Sequence, residues 1–340
     1  MTSVVVTGGA GFLGSRLIRE LLAAGELAVA GEPAGPVTSV RIIDQAEPAA
    51  ALLADERVEA VRGDAASLLD PAAGGPGLLA GADVVFHLAA AVSAECEADF
   101  DLGLRANLRA TESVLASCRE LGSAPVVVFA SSVAVFGASP EHPLPAVVDD
   151  HTLPNPQSSY GTQKLIGERL VADYTRKGYL RGRTARLMTV SVRPGRPNAA
   201  ASGFLSAIIR EPLAGQRAVC PVGQETEVAL ASPARAIEGL LCAASAAEAA
   251  WGGRSAVNLP ALTVTVGEMV AALERAAGPA AASLIDWIPD PAVARIVTGW
   301  PARFRPGRAA GIGLGPDADF DSVIARHAYE TATPRESGPL

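Results

Sequence analysis

The stretch Thr7-Gly8-Gly9-Ala10-Gly11-Phe12-Leu13-Gly14 follows a short apolar run, Ser3–Thr7, and opens a helix-length segment, Phe12–Ala24. Glycines at such a turn let the backbone bend tightly and approach a pyrophosphate, whose charge is favoured at a helix N-terminus. A simple tight turn is the alternative for a glycine pattern considered alone. Because a strand, the turn and a helix follow one another here, the sequence predicts a dinucleotide site. Its residues are expected to be Gly8, Gly11, Phe12, Leu13 and Gly14.

Further apolar runs alternate with helix-length segments along the chain. The predicted strands are Val40–Ile43, Val58–Arg62, Val84–Leu88, Val126–Ala130, Thr184–Met188 and Glu227–Leu230. Such alternation is typical of an α/β fold, and nearly continuous hydrophobicity suits strands that helices cover on both faces. We therefore expect a Rossmann-type, doubly wound parallel sheet. Gly25–Val37, which contains Pro33, Gly35 and Pro36, is expected to be a loop or lid before the second strand.

The pattern changes beyond about Arg193, where arginines, prolines and short helices such as Val266–Ala277 and Phe320–His327 dominate. We expect a dinucleotide-binding Rossmann domain over residues 1–182, with returning strands near 184–190 and 227–240. A smaller C-terminal domain, mostly substrate-binding, is expected over residues 191–335.

Composition narrows the class of protein. Charged residues form 19% of the 340 residues and the formal net charge is −8, which argues against a nucleic-acid or anionic-membrane partner. No run approaches the ~18 apolar residues of a membrane span. The four cysteines are scattered, no Cys-x-x-Cys pair occurs and there are four histidines, so no metal site is predicted. We expect a cytoplasmic protein with free thiols.

Asp44 ends the second predicted strand, in Ile42-Ile43-Asp44. A carboxylate there accepts hydrogen bonds from the adenosine ribose and repels a 2′-phosphate, so NAD is expected rather than NADP. Asp44 lies farther along than the usual ~20 residues, and the Gly25–Val37 insertion accounts for the excess. Gly63 and Asp64, after the third strand, could place a carboxylate by the adenine amino group; a helix N-cap is the alternative for Asp64.

Tyr160-Gly161-Thr162-Gln163-Lys164 places a phenol and an ammonium on one helix face. A free tyrosine titrates near ~10 and is a poor base at neutral pH. A neighbouring lysine favours the phenolate and is expected to lower that pKa toward the working range. A solvated helix face is the alternative for this spacing by itself.

Together these residues resemble the extended short-chain dehydrogenases/reductases. The matching stretches, in family order over about the first 200 residues, are Thr7-Gly8-x-x-Gly11-x-x-Gly14, Phe86-His87-Leu88-Ala89-Ala90, Asn107, Ser131-Ser132 and Tyr160-x-x-x-Lys164. The resemblance implies that Tyr160 is the catalytic base, that Lys164 tunes it and that Ser132 orients the reacting oxygen. Additional cofactor contacts are implied at Leu88, Ala89, Ala90, Ala130, Ser131 and Thr189. Asn107 is implied to support a water relay to Lys164, with a buried hydrogen-bonding asparagine as the alternative.

A narrower group, the NAD-dependent D-erythronate dehydrogenases, is similar over most of the chain. The similar stretches are Glu97–Gly103, Ser159–Lys164, Val192–Ser202, Ile209–Gly215, Val257–Pro260 and Gly299–Pro301. This similarity implies oxidation of a short sugar acid, D-erythronate, at C2 to its 2-keto acid. It also implies a homodimer that pairs through the helices carrying Asn107 and Tyr160.

A sugar acid carries a carboxylate, which a pair of hydrogen-bond donors such as a guanidinium binds well. Arg193 and Arg196 follow the strand predicted at Thr184–Met188, and α/β folds bind ligands beyond such strand ends. Ser132 and Tyr160 would contact the same substrate. Further candidate substrate contacts are Ser93, Asn198 and Ser202.

Two other functions stay open at this point. A nucleotide-sugar epimerase or reductase would share the cofactor and Tyr-Lys residues. However, Val133-Ala134 stands where sugar-nucleotide dehydratases have an Asp-Glu pair, and Thr189 stands where many epimerases have an asparagine. A non-catalytic NAD sensor is the second alternative, although such proteins generally lack the tyrosine or the lysine.

Overall fold

The computed structural model describes residues 1–195 and 202–332. Its strands, in chain order, are β1 (Thr2–Thr7), β2 (Glu26–Leu27), β3 (Gly35–Asp44), β4 (Val58–Arg62), β5 (Val84–His87), β6 (Val126–Ser132), β7 (Val148–Asp149), β8 (Arg181–Leu187), β9 (Thr189–Val190), β10 (Ala218–Cys220), β11 (Glu227–Ala231), β12 (Val257–Asn258), β13 (Leu262–Thr265), β14 (Ile285–Trp287) and β15 (Phe304–Arg305). Its helices are α1 (Phe12–Ala24), α2 (Ala50–Leu53), α3 (Ala65–Leu68), α4 (Gly75–Leu78), α5 (Ser93–Ala98), α6 (Phe100–Gly103), α7 (Ala110–Leu121), α8 (Ser159–Arg176), α9 (Phe204–Leu213), α10 (Pro233–Ser245), α11 (Glu248–Trp251), α12 (Val266–Ala277), α13 (Pro279–Ala282), α14 (Pro291–Thr298), α15 (Gly307–Gly311) and α16 (Phe320–Ala332). A π-helical segment, Leu104–Arg109, joins α6 to α7.

The main sheet has the strand order β12-β8-β6-β5-β1-β3, with β4 and β2 both paired to β3. All its pairs are parallel except that of β2 with β3. The chain runs outward from β1 in one direction through β3 and β4, then in the other through β5, β6 and β8. Ligands of such sheets bind beyond the carboxyl ends of the strands at this reversal, between β1 and β5. The predicted Rossmann-type, doubly wound α/β fold is confirmed.

Both faces of the sheet are covered, which explains the continuous hydrophobicity of its strands. In β1, Val4 and Val6 belong to one core with α1 and α10, whereas Val5 belongs to a second core with α7 and α8. Because side chains alternate along a strand, a single apolar run supplies both cores. α1 was predicted with the bounds that the structure has.

The segment predicted as a loop or lid, Gly25–Val37, forms a β-hairpin instead. β2 pairs antiparallel with the start of β3, and Leu27 and Val37 are buried. The tip is held by backbone hydrogen bonds from Ala30 N to Ala244 O and from Gly31 N to Ser245 O, both 2.8 Å. β3 leads to the ligand edge at its carboxyl end, whereas the hairpin lies at its amino end. The segment is therefore on the wrong side of the sheet to be a lid.

The remainder of the chain builds a smaller part with its own core. A three-stranded sheet, β13-β11-β9, lies beside α9, α12 and α16, and their apolar side chains form one cluster. β11, predicted near 227–240 as a returning strand of the Rossmann domain, pairs in this smaller sheet rather than in the main one. Its apolar residues alone could not reveal which sheet it joins. α10, which follows β11, returns to the main sheet and packs in its core. Among the described helices, none combines the length and the apolar character needed to span a bilayer.

Candidate active site

The predicted glycine turn lies at the reversal of strand order. Gly8 has φ 75°, and a Cβ there would be 2.6 Å from Ala89 N. A Cβ on Gly14 would be 2.1 Å from Gly8 O. α1 has no acidic residue in its first turn, so its positive end is available to a phosphate group. Gly11, Phe12 and Leu13 line the cavity beside this helix terminus.

The turn after β5 packs directly on the glycines. Leu88 N donates to Thr7 O at 3.0 Å, and Ala89 N donates to Thr7 Oγ1 at 3.4 Å. Leu88 and Ala90 line the same cavity. Sequence motifs that are some eighty residues apart thus form one wall, because β1 and β5 are neighbours.

Asp44 lies at the carboxyl end of β3, beside the glycine turn. Its two carboxylate oxygens accept hydrogen bonds from Ala10 N and Ala46 N, both at 2.9 Å. Gly63 N donates to Asp44 O at 2.8 Å, and Gln45 Nε2 donates to Asp64 Oδ1 at 3.3 Å. The predicted adenosine-side residues are therefore together.

Asp64 is also the N-cap residue of α3, although its side chain makes no capping hydrogen bond. Sequence reasoning missed Arg62, whose Nε donates to Gln45 O at 3.0 Å and places a cation near this end. Arg62 lies there because β3 pairs with β4, which sets Asp44 opposite Arg62, and no local sequence pattern indicated this.

Ser132, Tyr160 and Lys164 line one cavity of about 370 Å³ together with Ala130 and the glycine turn. Lys164 is buried, and its Nζ donates to Ala130 O at 2.8 Å. The same Nζ lies 5.7 Å from the centroid of the Tyr160 ring. Ser132 ends β6, whereas Tyr160 and Lys164 lie in the first turns of α8. The end of a strand and the start of a helix therefore meet in this cavity.

Gly161 explains how α8 comes so close to β6. A Cβ on Gly161 would lie 2.1 Å from Ala134 O, in the turn that follows Ser132. Gly161 N donates to the Ser158 Oγ, which caps the helix. Because Gly161 has no side chain, the first turn of α8 can pack against the backbone that follows Ser132. This packing places the Tyr160 phenol beside Ser132.

Burial sets the ionisation of the two central groups. It raises the pKa of Tyr160 to about 12, against smaller lowering effects of the Ser132 hydrogen bond and the Arg193 charge. Burial also lowers the pKa of Lys164 to about 8, opposed by nearby acidic groups that include Glu168. The expected lowering of the Tyr160 pKa by Lys164 is therefore not found in the chain by itself, because desolvation of the phenolate dominates and the groups that lower this pKa are Ser132 and Arg193 rather than Lys164.

Asn107 lies on the π-helical segment and is buried. Its Oδ1 accepts from Ala91 N at 2.8 Å, while its Nδ2 donates to Ala91 O at 3.3 Å and to Gln163 Oε1 at 2.7 Å. The amide thus ties the cavity-lining turn after β5 to α8. Its side chain is directed to Ala91 and Gln163 rather than to Lys164. The buried hydrogen-bonding role that the sequence left as an alternative is present.

His87 extends this network beneath the cavity. Its Nδ1 lies 2.7 Å from Thr7 Oγ1 and its Nε2 lies 3.0 Å from Thr111 Oγ1. Because Thr111 donates its hydroxyl hydrogen to Asn107 O at 2.6 Å, His87 must donate from Nε2 and accept at Nδ1. Burial lowers the His87 pKa to about 3, so the ring is neutral.

Ser131 faces a buried ion pair. Its Oγ donates to Glu168 Oε1 at 2.5 Å, and Arg186 donates to both oxygens of Glu168 at 2.8 and 2.7 Å. Ser131 lines the cavity, but its hydroxyl is engaged away from the expected nicotinamide position. Glu168 was missed, although it stands one helical turn after Lys164.

Three of the predicted substrate contacts, Ser93, Arg193 and Ser202, line the same cavity. Thr189, which was predicted to contact the cofactor, lines it as well. Arg193 Nη2 lies 3.4 Å from Ser202 Oγ, and Arg193 O accepts from Arg210 Nη1 at 2.7 Å. Arg196 and Asn198 fall outside the described residues. Trp300, which also lines the cavity, was not among the predicted site residues.

Residues 1–195 and 202–332 contain no group of three or more histidine, cysteine, aspartate or glutamate side chains arranged to hold a metal ion. The polar side chains that line the cavity are hydroxyls, a lysine and an arginine, beside the glycine turn.

Comparison with known proteins shows the family of this chain. The model of the NAD dependent epimerase/dehydratase family matches residues 4–231. The chain is 49% identical over 322 residues to the D-erythronate dehydrogenase of Cupriavidus necator, covering 95% of this chain and 96% of that protein. It is 37% identical over 321 residues to the D-erythronate dehydrogenase of Haemophilus influenzae, covering 94% of this chain and 97% of that protein. A crystal structure titled as the nucleoside-diphosphate-sugar epimerase from Agrobacterium tumefaciens has a TM-score of 0.87 and 37% identity, covering 97% of this chain and 94% of that one.

A dinucleotide turn that shares one cavity with a serine, a tyrosine and a lysine defines an extended short-chain dehydrogenase/reductase. The chain belongs to the NAD dependent epimerase/dehydratase family.

The close approach at Gly14 gives a direct test of the dinucleotide site. Gly14→Ala should weaken NADH binding by at least about tenfold, equivalent to about 1.4 kcal/mol, because the new Cβ would collide with Gly8 O. Titration calorimetry with NADH measures the change, and circular dichroism checks that the variant is folded. Gly77→Ala is the matched control, since a Cβ there meets nothing within 4 Å. Unchanged NADH affinity in a folded Gly14→Ala variant would show that the dinucleotide binds elsewhere.

Proposed function

We propose that this protein oxidises the C2 hydroxyl of a short sugar acid, D-erythronate, to the 2-keto acid with NAD. The observation that carries the proposal is a partly buried arginine, Arg193, in the same cavity as Ser132, Tyr160 and Lys164. A fixed cation suits a carboxylate, and the other three residues suit a reacting hydroxyl. The two near full-length relatives named D-erythronate dehydrogenase support the same substrate.

The chain's own residues fit NAD. Gly8 and Gly14 let the turn pack closely, since a Cβ on either would collide with backbone atoms, and the positive end of α1 is free for a pyrophosphate. Asp44 supports a ribose with free hydroxyls and disfavours a 2′-phosphate. Lys164 uses one of its three N–H donors on Ala130 O, which leaves others for the nicotinamide ribose. When bound, NAD supplies the acceptor for the hydride that leaves C2.

In this mechanism Tyr160 takes the hydroxyl proton from substrate as the C2–H bond breaks. Ser132 donates a hydrogen bond to the oxygen on which negative charge develops. The phenolate form of Tyr160 is costly in the chain alone, and the Ser132 hydrogen bond and the charge of Arg193 act in the direction that stabilises it. Asn107 and Gln163 hold the cavity wall against α8 and need not touch the substrate.

Arg193 would hold the substrate carboxylate, with Ser202 beside it. Arg193 is fixed at its backbone, because its N donates to Ser206 Oγ at 3.0 Å and its O accepts from Arg210. Such anchoring reduces the entropy lost when the carboxylate binds. Ser93 is the first residue of α5, and we propose that it contacts the substrate hydroxyls.

We also propose a cytoplasmic homodimer. Cys96, Cys118 and Cys220 are buried free thiols, which suits a reducing compartment. Phe100 and Ile166, on α6 and α8, are exposed large apolar side chains near the helices that carry Asn107 and Tyr160. Pairing through this face would remove both from water.

A second candidate is a nucleotide-sugar epimerase. It is favoured by the Agrobacterium tumefaciens structure, which is described as a nucleoside-diphosphate-sugar epimerase and is as similar in sequence as the Haemophilus influenzae relative. An epimerase retains its dinucleotide through turnover, whereas a dehydrogenase releases NADH to the solution. Net formation of NADH therefore separates the two functions.

The first test follows NADH absorbance with purified protein, NAD and a panel of D-erythronate, the threonates, several hexonates and nucleotide-sugars. We expect D-erythronate to be turned over. Tyr160→Phe should lower kcat by at least about a hundredfold, since loss of a general base typically costs 10²–10⁴-fold. Tyr174→Phe, on the same helix, is the control and should keep full activity. Turnover of a nucleotide-sugar without NADH release would replace the proposal with the epimerase.

Arg193→Ala should raise KM for D-erythronate by about ten- to a hundredfold, because a hydrogen bond to a charged group contributes about 1.5–3 kcal/mol. NADH affinity should stay the same, and Arg193→Lys should recover part of the loss. Initial-rate kinetics measure the change. The exposed Arg254→Ala serves as control, and an unchanged KM in Arg193→Ala would assign the carboxylate to another residue.

The raised pKa of Tyr160 keeps its phenol protonated at neutral pH, whereas oxidation needs the phenolate. The value of kcat/KM for oxidation should therefore rise with pH, by up to about tenfold per unit. Reduction of the 2-keto acid needs the phenol, which stays protonated over this range, and should change little with pH. Paired pH profiles in the two directions measure this. An oxidation rate that is independent of pH, together with a reduction rate that falls as pH rises, would mean that Tyr160 does not have the raised pKa.

A further inference from the structure

The active-site cavity is built almost wholly from the main sheet and its nearest loops. Of the described residues that follow Ser202, Trp300 is the one that lines the cavity. It therefore brings a wall from the smaller part of the molecule to the cavity that Arg193 and Ser202 also line.

The helix that precedes Trp300 along the chain fixes its position. It follows α14, and its backbone N donates to Val297 O at 3.3 Å. Its side chain is partly buried and packs against the core of the smaller part, as do Val293 and Ala294 of α14. The indole is thus anchored by packing before any substrate contact.

The chain after Trp300 is also fixed. Thr263 Oγ1 donates to Ala302 O at 2.6 Å, and Val148 N donates to Arg303 O at 2.9 Å. β15 then pairs with β7. With both flanks bound to other elements, the wall is preorganised rather than free to swing aside.

We infer that Trp300 sets the chain-length limit of the substrate, an inference that rests on the proposed sugar-acid function. The carboxylate lies at Arg193, so the carbon chain extends along the remaining wall. An indole offers a large, rigid, mostly apolar surface, which suits the C–H face of a short polyol but has no charge to hold a carboxylate. It closes the cavity beyond a four-carbon chain and excludes longer aldonates.

The test compares kcat/KM for D-erythronate with that for a pentonate and a hexonate. In Trp300→Ala the ratio should shift at least about tenfold toward the longer acids, equivalent to about 1.36 kcal/mol of discrimination. A gain on longer substrates cannot come from general damage to the fold. Trp300→Phe keeps an aromatic wall and should stay selective. Trp287→Ala, a change at a tryptophan that is 37% exposed on β14, is the matched control and should leave the ratio unchanged.

For variants whose turnover is too low for kinetics, substrate binding can be followed by fluorescence at equilibrium. Tryptophan fluorescence of the wild-type and Trp287→Phe proteins with bound NADH should change on adding D-erythronate, and Trp300→Phe should lose that change. An unaltered length ratio in folded Trp300→Ala, with erythronate still oxidised, would overturn the inference and leave the proposed function standing. Absence of sugar-acid oxidation by the wild-type protein, together with no fluorescence response to any aldonate, would overturn both.

Discussion

The buried ion pair between Glu168 and Arg186 fixes the helix on which the site depends. The two side chains are 4% and 7% exposed, and Arg186 donates to both carboxylate oxygens. Removing one partner from such a pair costs about 3–5 kcal/mol, because an uncompensated charge stays buried. Ser131 donates to the same carboxylate from β6. The pair thus holds α8 against β6 and β8 one turn beyond Lys164. It thereby fixes the position of Tyr160 relative to Ser132.

A second, uncharged network also reaches α8. It runs from Thr7 through His87 and Thr111 to Asn107 and then to Gln163 on α8. The side chains of Thr7, His87, Thr111 and Asn107 are all hydrogen-bonded, whereas Gln163 Nε2 is buried without a partner among the described residues, so the network is satisfied up to its last amide. The neutral His87 is essential to this arrangement, since a charged ring could no longer accept from Thr7. The glycine turn and the helix of Tyr160 are therefore coupled through side chains that lie under the cavity.

The sequence predicts what local patterns determine. α1 and α12 have the predicted bounds, and the cofactor and Tyr-Lys motifs meet because parallel strands bring their carboxyl ends to one edge. Pairing between distant segments was not predictable in this way. β11 joins the smaller sheet and Gly25–Val37 forms a hairpin because of partners far along the chain. For the same reason two residues were missed. The role of Glu168 on α8 depends on Arg186 from β8, and Trp300 reaches the cavity from the smaller part of the molecule.

The hairpin at Gly25–Val37 has one more consequence, which concerns solubility rather than catalysis. β3 is longer than its neighbour β4, whose pairing begins at Val40. Without β2, the first residues of β3 would present free backbone groups along an open edge, a surface to which strands of other molecules can add. β2 covers that length through its pairs with Gly35 and Pro36, and Pro36 has no N–H to offer. A segment that looks like a spacer between two strands thereby guards the sheet against growing from one molecule into the next.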